Sequence, residues 1–208
     1  SGGEAYLVGI CQLAPHDALD AATRGFKAAL VEAFGEDGVK FDEQNAGGEY
    51  NNCATIVDGF VSENVDLMLA NATYSLQAAQ SATADIPILG TSVTDYATAL
   101  NIDDWTGTVG GNISGTSDLA PLDQQAAMIQ ELFPDAETVG LLYCSGEPNS
   151  VYQIETISSY LEEMGYTCTP YAFTDVNDLS SVTQTACDNS DVIYIPTDNT
   201  AASCTETI

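Results

Sequence analysis

Six cysteines, one histidine and 31 carboxylates are the side chains in this 208-residue sequence able to do chemistry, and their spacing argues against most of it. Cys11, Cys53, Cys144, Cys168, Cys187 and Cys204 form no C-x-x-C pair and have no histidine nearby, which speaks against a zinc site or a dithiol redox motif. Most are expected as small buried residues. One or two disulfides of an exported protein are the alternative, with Cys168, Cys187 and Cys204 nearest in sequence. His16 lies beside Asp17 and Asp20, a setting for a general base or a metal ligand, but no GxSxG or HExxH accompanies it. A cap or contact at a helix entrance is the better reading. Asp103 and Asp104 lack the alternating ligands of a calcium loop and read as solvated surface. Neither a metal nor a cofactor is expected. Cys11 and Cys144 end equivalent strands and could act as acid and base in a racemase-type enzyme. A reactive thiol needs an electropositive neighbourhood, however, and this sequence offers little of one.

The charge balance excludes further classes. Arg24, Lys27 and Lys40 are the three bases against 31 acids, for a formal charge of -28, and no Lys or Arg occurs from Phe41 to Ile208. Nucleic acid and anionic membranes are therefore excluded as partners, and no glycine-rich phosphate loop suggests a nucleotide. What remains is a set of polar loops: Gln12 to His16, Asn71 to Thr73, Thr91 to Asp95, Ser145 to Ser150 and Pro196 to Thr200. Each contains helix-capping residue types, so Thr73, Ser92, Asn149 and Asp198 have capping as their plain role. If all five loops share the carboxyl edge of their sheets, helix N-termini there can hold a carboxylate without arginine, which suits a zwitterion. Asn71-Ala72-Thr73 and Asn112-Ile113-Ser114 match the glycosylation sequon but read better as binding-cleft and crossover residues.

The elements that must position these loops follow from hydrophobic periodicity. Hydrophobic residues make up 45% of the chain, enough for a packed core, and the longest apolar runs, such as Val65 to Ala70, are too short for a membrane span. Short apolar runs at 6–11, 39–41, 65–70 and 86–90 read as strands, alternating with helical patterns at 17–34, 50–62, 74–83 and 93–100. After Gly115 the order restarts: helix 118–133, strand 138–144, helix 150–164, strand 166–173, helix 179–187, strand 191–195. Val8-Gly9-Ile10 corresponds to Val139-Gly140-Leu141, and the segment from Val65 to Thr73 to that from Ser190 to Asp198. The expected fold class is α/β: two similar three-layer α/β/α lobes with parallel sheets, residues 1–113 and 114–208, joined near Gly107 to Ser117. The second lobe reads as partial, with a continuation beyond Ile208, and the two lobes are expected to face each other across a cleft. Ser1-Gly2-Gly3 fits a spacer left after a signal peptide or a cloning remnant.

Several segments together resemble the tryptophan/aromatic amino acid substrate-binding proteins of bacterial ABC importers, which have the type I periplasmic-binding fold. They are Gln12, His16, Leu19-Asp20 and Gly25-Phe26; Ile86-Pro87-Ile88 with Val93-Thr94-Asp95; the crossover from Gly110 to Asp118; Gly146 to Ser150; and, most specifically, Tyr194 to Thr200. Leu89 to Ser92 and Tyr96 depart from the family pattern. The resemblance implies an extracytoplasmic receptor, periplasmic or a cell-surface lipoprotein. It would capture a small amino acid, aromatic such as tryptophan or phenylalanine, and deliver it to a membrane permease. The ligand residues expected are Gln12, His16, Asn71, Ala72, Thr73, Ser92, Val93, Thr94, Asp95 and Asn112 in the first lobe. In the second they are Tyr143, Glu147, Asn149, Ser150, Asp198 and Asn199. Thr73, Ser92 and Thr94, assisted by Asn71 or Asn149, are expected to take the ligand's carboxylate, and Asp198, or failing it Glu147, its ammonium group.

Overall fold

The computed structural model describes residues 5–208, so Ser1-Gly2-Gly3 lies outside the described residues. The chain forms two compact units, the first ending at Asp118 and the second starting at Leu119. That boundary lies beyond the one expected at 113/114, because the glycine- and serine-rich crossover itself contains a strand.

In the first unit β1 (Tyr6–Gln12), α1 (Asp17–Phe34), β2 (Val39–Asn45), α2 (Tyr50–Glu63), β3 (Leu67–Asn71), α3 (Thr73–Ala82), β4 (Ile88–Val93), α4 (Tyr96–Leu100) and β5 (Ile113–Ser117) follow in order. The strands form one parallel sheet ordered β2-β1-β3-β4-β5. Alternate residues of β1 and β3 enter opposite faces. Val8, Ile10 and Leu69 pack with Phe26, Leu30 and Val31 of α1, whereas Cys11, Met68 and Ala70 join Cys53, Val57 and Phe60 of α2 and Leu76 and Ala79 of α3. Both faces are covered, which is why these strands read as continuous apolar runs.

β5 escaped the sequence reading because only Ile113 of its five residues is buried. It is an edge strand held by its ladder to β4, with no apolar alternation to betray it. β4 itself runs on to Val93 through a register shift, delaying α4 to Tyr96. Here Gly90 and Gly115 are required: a Cβ at either would collide with the Tyr96 hydroxyl, which donates to the Thr116 carbonyl at 3.1 Å.

The second unit contains α5 (Leu122–Leu132), β6 (Thr138–Cys144), α6 (Pro148–Glu163), β7 (Thr167–Phe173), α7 (Val176–Asp188), β8 (Val192–Tyr194) and α8 (Asn199–Ser203). Its parallel sheet is ordered β7-β6-β8. Val139 and Leu141 pack against Ala126 and Ile129 of α5 and Ile154, Ile157 and Leu161 of α6, while Leu142 and Cys144 pack with Phe173, Leu179 and Ala201. The internal repeat extends to its braces. Asp66, ahead of β3, accepts the Leu7 N–H at 2.8 Å, and Asp191, ahead of β8, accepts the N–H groups of Glu137 and Thr138 at 3.0 and 2.9 Å. Among the described residues no helix is long and apolar enough to cross a membrane.

Candidate functional site

In the first unit, β1 to β4 end in loops laced together by backbone hydrogen bonds. The Ala46 N–H donates to Gln12 O (2.9 Å), Gly48 to Leu13 O (2.7 Å), Leu13 to Asn71 O (3.2 Å) and Ala72 to Thr91 O (3.0 Å). Beneath them a buried polar chain fixes α1 to the strand ends. Gln12 donates to Asp20 Oδ1 (2.6 Å) and Ala14 O (2.9 Å) and accepts from the Thr23 hydroxyl (2.7 Å). Asn71 donates to Thr23 Oγ1 (3.0 Å) and Leu19 O (2.9 Å). Gln12 and Asn71, both expected to touch ligand, are thus spent on bracing through their amide groups, while Asn71 Oδ1 is a buried acceptor with no partner.

The helices entering from this edge are unusual at their starts. The N-cap residues His16, Glu49 and Ala72 of α1, α2 and α3 make no side-chain capping bond, although each helix begins with N–H groups that lack an intrahelical acceptor. Thr73 is the first residue of α3 rather than its cap, and Ser92 lies within β4; neither performs the capping role its type suggests. Ala72 and Ser92 both adopt positive φ, 98° and 55°. Such backbone costs on the order of 1–3 kcal/mol outside glycine and persists where its surroundings over-determine it, commonly at ligand clamps. Of the remaining expected residues, Asp95 caps α4, accepting weakly from Thr98 N–H at 3.5 Å, and the Thr94 hydroxyl binds Asp118.

Two expectations need correction. Val93 is fully buried in the core and its backbone pairs with β5, its carbonyl accepting from Asp118 N–H at 3.1 Å. Asn112 sits at the amino end of β5, donating to the Thr83 and Ile86 carbonyls at 3.2 and 2.8 Å. It lies at the opposite edge of the sheet from the loops, because the segment after it is a strand and not a crossover.

The carboxyl edge of the second unit carries a denser network. Asp198, 4% exposed, accepts from Ala201 N–H at 2.8 Å as the cap of α8, and from Cys144 N–H and Ser150 Oγ, each at 2.7 Å. Burial first, and the neighbouring Glu147 charge second, push its carboxyl up to about 6. Glu147 accepts from the N–H of Asn199 and Thr200, the Asn199 amide, the Thr200 hydroxyl and the Asn149 amide, at 2.7–3.1 Å. Its five donors leave no lone pair for a ligand's ammonium, and Asp198 has at most one. The expected ammonium partners are therefore internal braces here. Gln153, which the sequence reading missed, ties Thr197 to Asn149 through four bonds of 2.8–3.1 Å. Its one sequence signal is its place one turn after Asn149 on the buried face of α6. Tyr143 lies inside β6, within the strand expected at 138–144, half-buried against the α5–α6 layer.

The six cysteines are all free thiols. Cys11 is buried and shares the Ser75 hydroxyl with Cys53, at 3.5 and 3.7 Å. Its hydrogen bond with Cys53, then burial, raises its pKa; burial likewise raises that of Cys144. Neither thiol is set up as a thiolate base, so the geometry gives no support to a racemase.

Comparison with known proteins agrees with the architecture. The family described as ABC transporter substrate binding protein matches residues 7–208. A tyrosine-binding protein of Clostridioides difficile is 36% identical over 194 residues, 92% of this chain and 56% of that protein, so the chain spans little more than half of that relative. A Streptococcus pneumoniae domain solved in complex with L-Trp superimposes with a TM-score of 0.92 at 34% identity, covering 98% of this chain and 69% of that one. A ligand-free, open substrate-binding protein with adhesive properties from Clostridium difficile gives 0.67 at 35% identity over the same shares. With a family match over nearly its whole length and parallel α/β units of the type I periplasmic-binding fold, this chain belongs to the ABC transporter substrate-binding proteins.

Proposed function

We propose that the chain is the receptor component of an amino acid importer, working outside the cytoplasm as a periplasmic protein or surface lipoprotein and handing its ligand to a membrane permease. The ligand is an amino acid with an aromatic side chain, taken by the loops at the carboxyl ends of the strands. One observation carries the reading: α3 starts at this sheet edge with no side-chain cap and no acidic residue in its first turn, presenting N–H groups and a positive helix end to an anion where no lysine or arginine needs to intervene. The strained backbone at Ala72 and Ser92 aims two of these loops. The L-Trp bound by the Streptococcus relative and the name of the Clostridioides one fit an aromatic ligand.

Calorimetric titration of the full-length protein with single amino acids tests this reading. Micromolar or tighter binding is expected, weakened about tenfold or more by T73A with S92A, from ~1 kcal/mol per lost hydrogen bond. Unchanged affinity in the double variant would remove these two residues from the site, and absence of any amino acid binding would overturn the function.

A further inference from the structure

We infer that Tyr50 and Tyr74 form the wall that selects an aromatic side chain, an assignment that rests on the amino acid receptor reading and adds the chemistry of its specificity. Their rings meet edge to face, centroids 5.5 Å apart and planes at 74°. Tyr50 opens α2 and Tyr74 is the second residue of α3, so both stand at the sheet edge where the loops are laced together. Tyr74 follows Thr73 directly and is half-buried against the first unit's core, which fixes its ring. Tyr50 remains 38% exposed, so part of its ring is open to a solute at this edge. An amino acid whose carboxylate lies at the start of α3 carries its side chain within reach of the next residue along.

The edge-to-face geometry favours a third ring. Aromatic groups extend such a pair by presenting edge to face in turn, gaining attraction beyond the area they bury, and an aliphatic side chain has no quadrupole with which to do so. A cationic side chain over a tyrosine face is the competing occupant. Titration with lysine tells the two occupants apart.

The test titrates the full-length protein calorimetrically with phenylalanine, leucine and lysine, in wild type, Y50A, Y50F and Y74L, with melting temperatures confirming that each variant is folded. The expected result is a wild-type preference for phenylalanine over leucine. Y50A and Y74L should each lower phenylalanine affinity about three- to tenfold while leucine stays within about twofold, and Y50F should behave as wild type. Equal losses for phenylalanine and leucine, no loss at all, or a selective loss for lysine would each overturn the assignment while leaving the receptor reading standing. A wild-type protein that binds none of the three, nor any other amino acid, would remove both. Tyr50 is exposed enough for Y50A to decide the matter alone should Y74L fail to fold.

Discussion

Asp198 offers a perturbation whose sign and size follow from the structure. Its carboxyl is pushed up to about 6 from 3.8, chiefly by burial, so the folded protein binds its proton more tightly than the unfolded chain does. The stability this group contributes is therefore complete below pH 3.8 and is lost as pH rises through 6. Between pH 4.5 and 7 the difference comes to about 2 kcal/mol. Relief of repulsion among the other acids acts in the same direction, so the wild type alone does not isolate the effect. D198N does, because asparagine cannot titrate. Its amide can serve only some of the three donors that Asp198 accepts, from Ala201, Cys144 and Ser150, at a cost of about 1–3 kcal/mol for an orphaned buried donor. Removing the buried charge offsets part of that at pH 7. Urea denaturation of wild type and D198N at pH 4.5 and 7.0, with hydrogen exchange of the β6 amides as a local reporter, should show the wild type gaining about 2 kcal/mol more than the variant on acidification. Parallel pH dependence in the two proteins would refute the argument that Asp198 is a destabilised buried carboxylate. Asp178 and Asp191, whose carboxyls are lowered by backbone N–H groups, act in the opposite sense only below the range measured.

Two further outcomes are expected. With a formal charge of -28 and three basic side chains, of which Lys27 pairs with Glu43, self-repulsion opposes folding, so raising salt from 0.01 to 0.5 M should lift the melting temperature by about 2–4 °C or more; a melting temperature that falls with added sodium chloride would contradict this. G90A should destabilise the protein by about 1–3 kcal/mol, because the new methyl group meets the Tyr96 hydroxyl, and the cost should shrink in a Y96F background. Equal cost in both backgrounds would show that the Tyr96 hydroxyl is not what the glycine accommodates.

The parallel α/β architecture and its internal repeat were legible because strands buried on both faces become unbroken apolar runs, and the helices between them carry their own period. The Val-Gly-Ile and Val-Gly-Leu segments do fall at matching places in β1 and β6, and the acids ahead of β3 and β8 brace neighbouring strands alike. Residue type could also point to polar loops at one edge of the sheets. What it could not supply was the use each polar group finds. Glu147 caps a helix whose first residues lie 52 and 53 positions further on, Asn71 reaches back 52 residues to α1, and the Tyr50 and Tyr74 rings meet only because α2 and α3 pack side by side. β5 is held by backbone bonding to β4 and has almost no buried side chains, so nothing local marks it as a strand. Periodicity records which way a residue faces within its own element. Whether a carboxylate there meets a helix end, a buried hydroxyl or a solute depends on partners that only the folded chain brings alongside it.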